Sequence, residues 1–155
     1  MTDQETKEEY ARLLKQIGDI AAVAGIKGEV DPEMGAYVTG FRTAENRGHR
    51  VFVRPTGSAP GGKPVVTIYA VARSFPKKKV TAAIPQKELM ALLLKNENLM
   101  FGRFGIRELE EEYLLVVSAD HLLETLDGDE FNATARYVAQ AADEYEAAQG
   151  EEDKF

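Results

Sequence analysis

Apolar positions along the chain change their period several times, and each change marks an element. Between Asp3 and Ala24, Tyr10, Leu13, Leu14, Ile17, Ile20, Ala21 and Ala24 recur at helical spacing with acids and lysines between them, which predicts a first helix. Thr2-Asp3-Gln4-Glu5 reads as a capping box at its start, Gly25 and Gly28 end it, and Pro32 to Gly35 is loop. Three extended segments follow. Ala36 to Thr43 and His49 to Arg54 flank a short loop containing Gly48 and read as a hairpin, and Val65 to Ser74, rich in β-branched residues, is a third strand. The polar, glycine-rich stretch from Thr56 to Pro64 between them reads as a mobile connection, and Phe75-Pro76-Lys77-Lys78-Lys79 as a turn.

The chain is organised around Pro85 to Val117. Leu89, Met90, Leu92, Leu93 and Leu94 give a short helix a broad buried face, and Asn96 and Asn98 tolerate the left-handed backbone that closes it. From Leu99 the period moves towards 2. Phe101 and Phe104, set among Gly102 and Gly105, begin an extended segment, Glu108 to Glu111 is a polar turn, and Tyr113 to Val117 is the returning strand. A cap at Asp127 to Glu130 opens the last helix, in which Phe131, Ala135, Val138, Ala142 and Tyr145 line one side. The order α-β-β-β-α-β-β-α predicts an α+β fold, an antiparallel sheet with helices packed against it and a meander as the default pairing. Residues 1–150 form a single domain and 151–155 a frayed acidic tail.

Several of these pieces carry a family resemblance. Leu92 to Asn96, Phe101 to Gly105, Tyr113 to Val117, Leu126-Asp127 and Ala141 to Glu146 resemble the type III secretion chaperone-like group, and its YbjN (Tir-chaperone-like) branch more closely. The likeness covers about the last 75 residues by motif, and the earlier part agrees only in the order of elements. It implies the same α+β order. It also implies the habit of that group, small acidic dimers that hold extended, unfolded segments of a client protein.

Composition narrows the function classes. A chain of 155 residues buries enough surface to fold without staples, and the absence of Cys removes disulfides, thiolate metal sites and cysteine nucleophiles together. The N-terminal stretch is polar where a signal peptide needs an apolar core, and the longest apolar run is far short of a membrane span, so the expectation is a soluble, cytoplasmic protein without membrane contact. The net charge of −7 is strongly segregated. Between Tyr37 and Lys87 ten Lys or Arg face one acid, Glu45, a net of +9, which leaves −16 on the remainder.

Candidate chemistry is sparse. Gly57 to Lys63 has the Gly-x4-Gly-Lys spacing of a phosphate-binding loop, but Pro64 stands where a metal-binding hydroxyl should be and a strand follows where a helix should begin, so it reads as a hairpin connection. His49 and His121 lack companions at metal or triad spacing and read as surface or junction residues. The acid runs at Glu108–Glu112, Asp127–Glu130 and Asp143–Glu146 read as turns, caps and solvated faces. The expectation is therefore no enzyme, no metal and no cofactor.

Partner binding remains. Alternation places Arg42 with Val38 and Gly40, Arg50 with Phe52 and Arg54, and Arg73 with Thr67, Tyr69 and Val71. This is an arginine and aromatic surface of the kind that binds single-stranded nucleic acid by base stacking and phosphate pairing, or that answers the acidic helices within the monomer or across a dimer. Met100, Phe101 and Phe104 offer a flexible apolar patch for a peptide. The leading expectation is a noncatalytic protein- or peptide-binding module working as a homodimer. The alternative is a single-stranded nucleic-acid-binding module using the basic strands between residues 37 and 79.

Overall fold

The computed structural model describes residues 2–79, 84–150 and 155. Helix α1 (Asp3–Val23) precedes strands β1 (Gly28–Asp31), β2 (Ala36–Ala44), β3 (Arg47–Ala59) and β4 (Lys63–Pro76) and a 3-10 turn (Lys77–Lys79). Helix α2 (Gln86–Asn96), strands β5 (Arg103–Glu108) and β6 (Glu112–Leu122) and helix α3 (Gly128–Ala148) complete the chain. The six strands pair antiparallel throughout in the order β1-β2-β3-β4-β6-β5, so the class is α+β as expected, with one strand more.

The two long helices form as their periodicity dictates. Thr2 accepts from the Glu5 amide while the Glu5 carboxylate accepts from the Thr2 amide, closing the predicted capping box, and Leu13, Leu14, Ile17 and Ala21 are buried below it. Asp127 caps α3 by accepting from the Glu130 amide, and Phe131, Ala135, Val138, Ala142 and Tyr145 all enter the core. Both helices lie on one face of the sheet, where Val51, Val53, Val66, Ile68, Leu115 and Val117 meet them.

The extra strand, β1, has no buried residue and gives no alternation to read. It is drawn against β2 by a close approach at Gly28, where a Cβ would stand 2.4 Å from the Val38 carbonyl oxygen. The glycine-rich stretch after Thr56, expected as a loose connection, is part of the sheet. Gly57, Ser58 and Ala59 pair with Val65, Pro64 and Lys63, so the would-be phosphate loop is the tip of the β3–β4 hairpin. The meander holds from β1 to β4 and then fails, because β4 pairs with β6 along its whole length and pushes β5 to the edge.

Helix α2 departs most from expectation. Its face was predicted to be broadly buried, yet only Leu92 is, while Leu89, Met90, Leu93 and Leu94 are 39 to 63% exposed. The helix sits beyond β5 rather than over the sheet, so a single row of side chains reaches the core. Asn96 is not in a left-handed turn: its side chain donates to the Phe104 carbonyl and accepts from the Phe104 amide at 2.7 Å, filling the free edge of β5.

Candidate functional site

The face of the sheet turned away from α1 and α3 carries the predicted basic surface. Register sets Val38 opposite Phe52 and Phe52 opposite Tyr69, while Ala36, Phe52, Tyr69, Val71 and Val116 form a second buried cluster. No described helix covers these residues. Arginines do. The Arg107 guanidinium carbon lies 4.0 Å from the Tyr69 ring centroid and that of Arg54 5.8 Å from it, and Phe52 stacks on Tyr69 with centroids 5.3 Å apart. Arg42 and Arg50 are exposed further along the same face, opposite Gly48 and Gly40. Burial first, and then the charge of Arg54, holds the Arg107 guanidinium below its usual range. Beside this pair, Thr67 donates to the Asp120 carboxylate at 2.5 Å and shares a 2.8 Å hydrogen bond with Thr56.

Arg73 does not join this surface. A bulge between Val71 and Arg73 advances the register by one residue, and Arg73 stands opposite Leu115, on the helical face, where it acts on Tyr145. Strict alternation therefore placed it on the wrong side. The remaining candidates divide. Met100 and Phe101 are exposed, whereas Phe104 is a core residue packed near Tyr145.

A cluster that sequence spacing did not reveal lies between β3 and α3. Pairing of β3 with β4 ends at Phe52 and Tyr69, and the fork beyond is filled by side chains. His49, read as a surface residue, is buried; its Nε2–H donates to the Val71 carbonyl at 2.7 Å, and its Nδ1 lies 3.8 Å from both Asp143 Oδ1 and Glu146 Oε2. Asp143 and Glu146, read as part of a solvated run, are likewise buried, one turn apart on α3. Arg47 spans the same two oxygens at 2.7 and 3.3 Å. Burial pushes the Asp143 carboxyl up, but the hydrogen bond and charge of Arg47 prevail and hold it below the usual carboxylate range. His49, Asp143 and Glu146 are near enough together to hold a metal ion, but that ion would have to displace Arg47 from both oxygens. The group is an ion-pair cluster that clasps the β2–β3 hairpin to α3. Phe155 lies against the fork, its ring centroid 6.5 Å from that of His49 and its backbone oxygen accepting from the Arg50 amide at 2.7 Å; the rest of the predicted tail, residues 151–154, lies outside the described residues.

The third feature is an apolar margin. Among the described residues, eight of the eleven large hydrophobic side chains left exposed fall between Leu89 and Leu109, on α2, the loop after it, and β5 with its following turn. Met100 is 76% and Ile106 47% exposed. The signal for this margin was present in the leucine run itself, which is denser than one buried row requires. His121, near the end of β6, has its Nε2 3.2 Å from the Thr134 hydroxyl, in keeping with a junction residue. No helix among the described residues is long and apolar enough to cross a membrane. A scan of the chain against protein-family models finds no matching family, and a search of curated proteins finds no matching sequence.

Proposed function

We propose that the chain is a noncatalytic protein-binding module of the secretion-chaperone and YbjN type, acting in the cytoplasm as a homodimer whose apolar margin is the surface that meets a partner chain. The observation that carries this reading is the concentration of exposed Leu, Met, Phe and Ile side chains on α2 and β5. Exposed apolar side chains concentrated on neighbouring elements suit an interaction site, because leaving them in water forgoes roughly 25 cal/mol for every Å² that a partner would cover. An isolated helix of 11 residues is marginal in water, and α2 has one buried leucine to hold it, so a partner seated on its outer row would also stabilise it. The Asn96 bonds occupy the β5 edge at Phe104, which favours docking through side chains on α2 over addition of a strand along β5.

The test is the mass of the chain in solution by light scattering, together with its capacity to keep a chemically unfolded polypeptide from aggregating. The expected result is a dimer that protects the probe, and a double change of Leu93→Glu and Leu94→Glu that yields folded monomers without protection. Wild-type protein that is monomeric at high concentration and gives no protection would remove the proposal.

A further inference from the structure

We infer that the open face of the sheet holds a phosphate-binding site, in which Arg54 and Arg107 supply two guanidinium forks above a floor formed by Tyr69. Four observations converge. Both guanidinium carbons lie close to one ring, at 4.0 and 5.8 Å from its centroid. Among the described residues neither arginine has a carboxylate within salt-bridge distance, the nearest influence on Arg107 being the charge of Asp120, although Arg47, Lys63 and Lys77 each have one. The Nε of Arg54 is buried with no hydrogen-bond acceptor. Finally, β2, β3 and β4 contain no acidic residue, so Arg42 and Arg50 extend the positive potential along the face while Asp120, on β6, already accepts from Thr67.

The usual explanation for a basic sheet in an acidic chain is internal neutralisation. Here it holds for Arg47, which turns to the carboxylates of α3. It does not account for Arg54 and Arg107, which share the Tyr69 ring and form no ion pair among the described residues, although Arg54 also lines a groove with Glu9 and Tyr10 of α1. Two partly desolvated like charges side by side are costly, and an anion with several oxygens relieves the cost by taking bidentate bonds from both forks. A phosphate suits them better than a carboxylate, since it brings up to two charges and three oxygens to two cations. Phe52 and Tyr69 are stacked on each other and covered, so recognition rests on the phosphate and not on stacking of a base.

The experiment titrates the full chain with inorganic phosphate at constant ionic strength, and separately with a short single-stranded oligothymidylate, following backbone amide shifts and heat. Saturable binding is expected, with shifts confined to β3, β4 and β5, and a loss of affinity of about tenfold or more in Arg54→Gln and in Arg107→Gln. Arg107→Lys keeps the charge over Tyr69 but loses the fork, so it should fold as wild type and still bind more weakly, while Lys15→Gln, at an exposed position of α1 paired with Asp19, should change nothing. Binding of free phosphate with this dependence assigns the site to a small phosphate ligand, and binding of the strand alone with the same dependence assigns it to a phosphodiester backbone. Absence of saturable binding for both, or binding that survives loss of both arginines, overturns the inference.

Discussion

At the scale of single residues, two side chains determine how α3 is held. Arg47 is a counter-charge shared by two buried carboxylates, so Arg47→Ala removes the guanidinium that Asp143 and Glu146 both contact, at an expected cost of about 3–5 kcal/mol. The pH dependence follows from the lowered Asp143 carboxyl. Its contribution is present above its ordinary value of 3.8 and is lost as pH falls through the lower folded value. Urea titrations at pH 7 and near pH 2 check this: the gap between wild type and Arg47→Ala should be wide at the first and narrow at the second. Tyr145 donates to the Glu88 carboxylate across the α2–α3 gap, and burial, followed by that bond, pushes its phenol from 10.0 up to about 12. A raised phenol favours the neutral form in the fold, so its stabilisation is complete below pH 10 and fades as pH rises through 12. Burial also raises the phenols of Tyr10 and Tyr37, so absorbance titration of the six tyrosines should show a late group of phenols from which Tyr145→Phe removes one, with a stability loss at pH 7 of about 1–2 kcal/mol.

At the scale of elements, the edge of β5 shows how a marginal strand is protected. Asn96 reaches from the last turn of α2 and satisfies both polar groups of Phe104, a backbone partner supplied by one side chain. Asn96→Ala should cost about 1–3 kcal/mol, because two strand groups lose their partner, and should speed hydrogen exchange at Phe104 while leaving α3 unchanged. The β4 bulge is the second decisive local feature. By turning Arg73 towards Tyr145 it keeps one cation out of the open face, leaving Val71 and Val116 as that face's apolar floor. Alternation along a strand is legible in sequence; the point at which it skips is not, because a bulge is fixed by the pairing of two strands far apart in the chain.

At the scale of the whole molecule, the segregation of charge resolves into three layers: acidic helices, a sheet with its apolar core against them, and a basic outer face. Exposed apolar surface collects on α2, the loop after it and β5, and Arg107 stands on that same strand beside the exposed Ile106, so the two proposed sites meet at β5. If the apolar margin joins two copies, the midpoint of thermal unfolding should rise with protein concentration, and the Leu93→Glu, Leu94→Glu variant should lose that dependence. A midpoint that does not move with concentration in the wild type contradicts the dimer.

The sequence by itself determined the class, the two long helices with their caps, the middle of five of the six strands, with β3 and β6 each running five residues past the end read for them, and the presence of a basic patch among aromatics. Those depend on local periodicity and turn chemistry, which a single stretch of chain carries in full. Tertiary structure decided where charge and exposure fall. Arg73 changes sides because of a register shift, His49, Asp143 and Glu146 become buried because a fork opens between β3 and β4, and the leucines of α2 stay in water because β6, not β5, claims the place beside β4. Each of these outcomes is set by which distant element arrives alongside, and no spacing within one segment encodes that.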